Sequence, residues 1–326
     1  MKIVITGATG SLGRSLCEFL LSQNIEVVAL GRSRSVGADL EKKGARFIQV
    51  DITDTAHLKK IFTDADIVIH AAGFASPWGP WKPFYEANVQ GTESVIEALR
   101  GSSVRKLIYL STPSLYFSSK PFQMITEDSV LPAPTTSYSK SKLAADEIVL
   151  KEAKACPYDT VLLRPRAFFG AYDTTILPRL LRLMNRGFFP LPDGGKAVVD
   201  VTAVENVIHF IWLVIKSDRR FKGEIYNITN GEPTAVKDLT RMIAQEFNLQ
   251  VKFRSVPLFV LTSVASLFEL YADLISHKEP LMTRYAIQTL GITQTLSIKK
   301  AQEHLGYQPV ITLQQALRKL SQQRAK

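Results

Sequence analysis

The chain has 326 residues, enough for one large α/β domain and a smaller companion, and its 46% hydrophobic and 21% charged content excludes a disordered or low-complexity protein. Only two cysteines occur, Cys17 and Cys156, which excludes a disulfide scaffold or cysteine-based metal site and points to a reducing compartment. The net charge of +10 comes from basic residues spread along the chain, so no nucleic acid is expected as partner, while attraction to an anionic substrate, a cofactor or a membrane surface stays open.

Met1-Lys2 runs straight into Ile3-Val4-Ile5, too short for a signal-peptide core, and reads as a first strand of a cytoplasmic protein. Further β-branched runs occur at Val27 to Leu30, Phe47 to Val50, Ile67 to His70, Leu107 to Ser111 and Thr160 to Arg164. Helical patterns separate them, among them Leu12 to Ser22, Phe84 to Leu99 and Ser137 to Ala153. Such alternation predicts βαβ units in a Rossmann-type, doubly wound parallel sheet. After Arg164-Pro165 the chain turns to longer Pro/Gly-rich loops, such as Phe188 to Gly195. A strand-helix return, Ala197 to Val201 then Val204 to Ile215, is expected to rejoin the main sheet. The chain thus divides into a dinucleotide-binding domain at 1–165, rejoined by about 197–228, and a discontinuous substrate-binding region at 166–196 and 229–326.

Between the first strand and first helix lies Gly7-Ala8-Thr9-Gly10-Ser11-Leu12-Gly13, with glycines three residues apart. Glycines there allow a tight turn and close backbone approach, and the helix N-terminus offers free N–H groups to a pyrophosphate. Where a carboxylate would hold the ribose 2′-hydroxyl of NAD, the sequence reads Gly31-Arg32-Ser33-Arg34. Two guanidiniums and no carboxylate favour NADP(H) over NAD(H), the alternative being exposed arginines without a role. Asp51 and Ile52, past the third strand, are candidates for the adenine side, although Asp at that point is also a common helix cap. At the end of the fourth strand, Ala71, Ala72 and Gly73 are small enough to let a cofactor approach. His70 beside them reads as a satisfied strand-end histidine rather than a catalyst.

Tyr138 and Lys142 lie four apart on one predicted helix, so both project from one face, and a cation there favours tyrosinate. Spacing alone is weak, since Tyr116 and Lys120 match it too, in a loop with no helix to align them. Thr112 ends the fifth strand, where such sheets place ligand-binding groups; a strand-end cap is its plainer reading. Asn88 falls in a helix flanking the site, placed to hold a water or a backbone group.

The run of motifs TGATGSLG, DI, HAAG, ANVQGT, ST before YFSS, YSKSK and LRPRAFFG resembles the extended short-chain dehydrogenase/reductase family over essentially the whole chain. The resemblance implies Tyr138 as general acid/base, Lys142 on the nicotinamide ribose and lowering the tyrosine pKa, Thr112 in the Ser/Thr role, and a nicotinamide site shaped by Pro165 and the segment after it. Trp78-Gly79-Pro80-Trp81, Arg164-Pro165-Arg166, Ile176 to Arg179 and Glu279 to Tyr285 look most like the 3β-hydroxysteroid dehydrogenase branch, and closest to bacterial members that reduce 2-alkyl-3-oxoalkanoic acids. The activity implied is ketone/secondary-alcohol interconversion on a lipophilic steroid-like or 3-oxo/3-hydroxy acid substrate. Sugar-nucleotide epimerases and dehydratases share the same catalytic residues, and a non-catalytic NAD(P)-sensing protein is the alternative of another class.

Pocket candidates are Phe74, Trp78, Trp81 and Phe168, with Phe169, Phe188 and Phe189 in similar loops, each of which has core packing as its plainer reading. Arg166 or Arg179 is placed to hold a substrate carboxylate, with a surface ion pair as the equal alternative. The apolar run 256–275 contains Glu269 and Asp273, and its uncharged part is too short to span a bilayer. It is expected to cover the substrate or to pack in a homodimer, and a helix dipping into a membrane interface is the sharper alternative.

Overall fold

The structure, a computed structural model, describes residues 1–280 and 282–324; Leu281, within the Glu279 to Tyr285 motif, and the last two residues of the expected substrate region lie outside it. Seven parallel strands form the central sheet, in the spatial order Lys222–Ile228, Asp159–Pro165, Lys106–Leu110, Ile67–His70, Lys2–Thr6, Glu26–Gly31, Arg46–Gln49. The order reverses between the first strand and Ile67–His70, the switch point at which ligands bind in doubly wound sheets. Strand alternation feeds two cores. Ile3 and Ile5 face the helices Ser11–Ser22 and Val204–Lys216, through Leu16, Leu20, Val207, Phe210 and Ile211. Val4, Val28 and Val68 face the other side and meet Leu58, Phe62, Val95, Leu99 and Val149.

The helix Ser137–Ala153 starts where Thr136 caps it, with Ser139 returning a bond to the cap backbone. The segment expected as one helix over Phe84 to Leu99 begins at Trp81, and it carries a π-helical turn at Tyr85–Gln90 before Gly91–Leu99. That wider turn holds Asn88.

The return segment differs from its expectation. Val198–Val199 joins a small four-stranded sheet with Thr234–Ala235, Gln294–Leu296 and Phe122–Ile125, while the main sheet is rejoined by Val204–Lys216 and Lys222–Ile228. Phe122–Ile125, inside the expected 1–165 unit, thus pairs with a strand about 170 residues further on. Phe169, Leu181, Phe189, Leu239 and the C-terminal helix Leu313–Arg324 build the core of the appended region.

Candidate functional site

At the switch point Gly7 takes φ +69°, and a Cβ on it would lie 2.7 Å from the Ala72 backbone. A Cβ on Gly13 would lie within 3 Å of the Gly7 and Ala8 backbone. The loop is therefore folded down between the ends of the first and fourth strands, with Ala71 and Ala72 against it, while Gly73 faces Asn88. Gly10 precedes the helix in an extended conformation and offers no side-chain cap, so the first helical N–H groups at Ser11, Leu12 and Gly13 face the loop without one. Ser11 Oγ is buried with no partner among the described residues. An orphan hydroxyl and a row of uncapped N–H groups in a cradle that a side chain would fill fit a pyrophosphate. Thr9 is held differently: its side chain packs where a Cβ on Gly31 would sit, and locks the loop to the second strand.

The two arginines separate. Arg34 Nη1 pairs with Glu41 at 3.1 Å, and its guanidinium lies over the Phe47 ring. Arg32 has no ion-pair partner within 4 Å among the described residues and helps hold the Asp51 carboxyl below its ordinary pKa. The larger causes there are the Thr53 N–H and hydroxyl, both donated to Asp51 Oδ1. Ile52 packs against Gly91, where a Cβ would meet its Cγ2 at 2.6 Å.

Tyr138 and Lys142 share one face of the Ser137–Ala153 helix, but the ammonium does not point at the phenol. Lys142 Nζ donates to Tyr109 Oη at 2.6 Å and to the Leu110 carbonyl at 2.7 Å. Burial lowers its pKa to about 8, with Asp146 opposing the shift. Burial raises Tyr138 to about 12, and the neighbouring Thr112 hydroxyl pulls the other way. The cation expected to favour tyrosinate is engaged elsewhere, and desolvation pushes the phenol the other way. Thr112 also caps the turn Pro113–Tyr116, accepting from Ser114 N and donating to Ser114 Oγ at 3.0 Å.

Behind these residues lies a buried polar network that the sequence did not disclose. Arg164 Nη2 donates to Asp146 Oδ2 at 2.9 Å, both side chains being 2% exposed. Ser111 donates to the same oxygen, Arg164 Nη1 donates to Tyr116 Oη, and Tyr116 in turn donates to Asn227. Asp146 lies four and eight residues beyond Lys142 and Tyr138, a helical repeat visible in the sequence; its partner on another strand is not. Tyr116, the decoy of the second Tyr/Lys match, is part of this network.

His70 is satisfied as expected: Thr6 and Thr92 hydroxyls engage its two ring nitrogens, and burial lowers its pKa to about 3. Asn88 holds a backbone group, one of the two roles expected of it. Its amide accepts from Phe74 N and donates to Phe74 O and Ser141 Oγ, so it ties the loop after the fourth strand to the Tyr138 helix. Phe74 and Trp81 are more than a third exposed, Phe74 stacked on Phe84, which itself neighbours Tyr138, and Trp81 under Lys140. Trp78 donates its indole N–H to Asp273. Phe168 packs on the central core beside Thr202–Ala203, and Phe169 and Phe189 lie in the appended core, because both segments became strands rather than open loops. Phe188 is exposed. Pro165 ends its strand beside Ile228. Arg179 pairs with Glu279 at 2.7 Å, the surface alternative. Arg166 is 3% exposed and near Tyr285, as Tyr138 is.

The profile of the NAD dependent epimerase/dehydratase family matches residues 3–229. The chain belongs to this family. Its match takes in the glycine loop, Thr112, Tyr138, Lys142 and Arg164, and its members carry NAD(P)-dependent redox chemistry, so the protein is a dehydrogenase/reductase of the extended short-chain type. A relative from Escherichia coli (strain K12), Uncharacterized protein YbjS, is 38% identical over 98% of this chain and 96% of its own. A Stigmatella aurantiaca protein, 4-hydroxy-2-methyl-3-oxo-4-farnesyl-3,4-dihydroquinoline-1-oxide ketoreductase, is 30% identical over 99% and 96%. Other relatives include 2-alkyl-3-oxoalkanoate reductases and 3beta-hydroxysteroid-dehydrogenase/decarboxylases, the branch the motifs resemble. UDP-glucuronic acid 4-epimerase from Bacillus cereus, solved with NAD, superposes with a TM-score of 0.78 at 22% identity, covering 99% of this chain and 97% of that one. That last likeness concerns the fold.

Proposed function

We propose that the protein reduces a ketone on a lipophilic substrate to the secondary alcohol, with NADP(H) as the preferred cofactor. The observation that carries this is the placement of Tyr138 and Lys142 on one helix beside the carboxyl edge of the sheet, where Thr112 ends its strand and Lys142 is held on the Leu110 carbonyl; burial, which keeps the Tyr138 phenol protonated, agrees with it. A nicotinamide cofactor held on the Gly7–Gly13 loop would supply hydride to the carbonyl carbon. Tyr138 Oη then has one task, to give its proton to the carbonyl oxygen, and a phenol that keeps that proton at neutral pH suits reduction. Thr112 Oγ1 is placed to orient the same oxygen. Lys142 Nζ, held on Tyr109 Oη and the Leu110 carbonyl, would meet the nicotinamide ribose, the role the family resemblance implies, and its own charge is supported by Asp146. Asn88 positions, through Phe74 and Ser141, the two segments that flank this centre.

The preference for NADP(H) rests on Arg32, the guanidinium left unpaired beside Asp51 while Arg34 is engaged by Glu41. The lipophilic substrate rests on the aromatic side chains of Phe74, Trp78 and Trp81 and on relatives named for a farnesyl-bearing quinoline oxide, 2-alkyl-3-oxoalkanoates and 3beta-hydroxysteroids. Tyr138→Phe is expected to abolish NADPH-dependent reduction across a panel of ketones while cofactor binding, followed by fluorescence titration, is unchanged. Retained turnover in that variant would refute the assigned role. Release of tightly held oxidised cofactor on denaturing the purified protein, with no net NADPH use, would favour epimerase or dehydratase chemistry instead.

A further inference from the structure

Of the two arginines that the sequence offers for a carboxylate, Arg179 has an ion-pair partner and Arg166 has none within 4 Å among the described residues. Arg166 directly follows the strand Asp159–Pro165, and its backbone is satisfied: its N–H donates to Ile228 O and its carbonyl accepts from Thr202 Oγ1. Its side chain is not. Among the described residues the guanidinium makes no hydrogen bond and no ion pair within 4 Å, and Nε is a buried atom with no partner. Asp200, the nearby carboxylate, accepts from Leu296 N instead. Ala167 next to it has φ +40°, a left-handed conformation that alanine rarely adopts, and local strain of this kind gathers at ligand sites. Tyr285 is the link to the reaction centre: its ring lies 5.0 Å from that of Phe117, which follows the turn that Thr112 caps, and its phenol acts on both Arg166 and Tyr138. A buried, unpaired guanidinium is costly for the fold unless an anion completes it, and a planar fork matches a carboxylate. We infer that Arg166 anchors a carboxylate of the substrate, so that the site takes a lipophilic oxo acid, the ketone lying toward Tyr138 and the acid toward Arg166.

This rests on the proposed reduction, and the test keeps the two apart. Medium-chain 3-, 4- and 5-hydroxy acids and their methyl esters are assayed with NADP⁺, and binding is followed separately by thermal shift. Wild type should prefer at least one acid over its ester, and Arg166→Met should raise the KM for that acid by about tenfold or more while sparing the ester. Arg166→Lys should recover part of the preference. Because methionine removes an unpaired buried charge, Arg166→Met should melt no lower than wild type. Equal use of acid and ester by wild type, or equal losses in the variant, would overturn the anchor while leaving the reductase reading intact. Absence of turnover and of stabilisation with every compound in wild type would instead overturn both.

A different observation carries a second inference. The helix Leu258–Tyr271 and its continuation through Ser276 bury only Leu261, Ala265 and Ala272. Phe259, Leu267 and Leu274 are 71%, 67% and 68% exposed. The two acids of this helix are engaged by the protein: Glu269 accepts from Arg284 N and Nε, and Asp273 from the Trp78 indole. The exposed ridge of Phe259, Leu267, Leu274 and Ile275 is apolar, with exposed Asp273 held at its side by Trp78, while exposed Lys252, Arg254 and Lys278 lie toward its two ends and Glu279 is paired with Arg179. A second copy, itself at +10, would meet that rim with like charge, whereas anionic lipid complements it. The geometry points to this helix lying in the surface of an anionic bilayer, its buried line fixed to the protein and its ridge in the acyl boundary. Purified protein should co-sediment with phosphatidylcholine/phosphatidylglycerol vesicles, less with phosphatidylcholine alone, and less as salt rises. Leu267→Glu with Leu274→Glu should abolish co-sedimentation while oligomeric state and turnover of a water-soluble ketone stay unchanged. No binding to either vesicle, or a dimer that the double variant splits, would overturn the inference.

Discussion

Removing Asp146 is the sharpest test of how the site is held. Asp146→Ala leaves Arg164, 2% exposed, with Tyr116 Oη as its remaining partner and frees the Ser111 hydroxyl. Breaking a buried pair by deleting one member costs about 3–5 kcal/mol, because the surviving charge stays desolvated. With an unfolding entropy of about 2.1 cal/mol/K per residue, a chain of this length loses about 4–7 °C of Tm for that cost. Asp146 Oδ1 has no partner among the described residues, which favours the lower end of the range. Asp146→Leu with Arg164→Met removes both charges and should recover most of the loss. The carboxylate also supports the Lys142 charge, so the alkaline fall in turnover, set by a lysine near pH 8, should move to lower pH in Asp146→Asn. Urea and thermal unfolding measure the first effect and a pH–rate profile the second. A loss under about 1 kcal/mol, or a double variant as unstable as Asp146→Ala, would refute the claim that an uncompensated arginine is what the carboxylate prevents.

Gly13→Ala places a Cβ 2.3 Å from Gly7 O, so the loop must shift; NADPH affinity should fall at least tenfold by fluorescence titration, with catalysis recovering at saturating cofactor. Arg32→Glu should reverse the ratio of kcat/KM for NADPH over NADH, and an unchanged ratio would remove Arg32 from the cofactor site. His70, held neutral with a pKa near 3 against 6.5 unfolded, binds its proton more readily in the unfolded chain, so its contribution is fully present above pH 6.5 and declines as pH falls toward 3. That slope is about 1.4 kcal/mol per pH unit at most, and urea unfolding of His70→Gln between pH 7 and 4 should be shallower by that amount.

The parts of this protein legible in its sequence are those whose cause is local. β-branched runs set the six early strands, three glycines set the phosphate loop, and Thr136 with Ser139 three residues on fixed the start of the Tyr138 helix. What failed depends on partners far along the chain. Phe122–Ile125 is a strand because of Gln294–Leu296, and nothing near it says so. Phe168 and Phe169 read as loop aromatics until pairing with Thr202–Ala203 turned them into strand and core. Asn88 reads correctly as holding a backbone group beside the site, but which one is not legible, since the donor and acceptor it satisfies belong to Phe74, fourteen residues away across a loop.

The same distinction decides between charges of equal appearance. Arg164, Arg166 and Arg179 sit within sixteen residues of one another, and the sequence treats the last two alike. Each found a different fate: Arg164 an internal carboxylate on the Tyr138 helix, Arg179 a surface one at Glu279, Arg166 none among the described residues. A fold that pairs one buried arginine with a carboxylate two residues' distance from a second, unpaired one has the means to neutralise both. Leaving the second unpaired beside Tyr285 costs stability, and such a cost is retained where a ligand offsets it. Asp200 acts on Arg166 only from a distance, and that remaining deficit is the ground for the carboxylate inferred on the substrate.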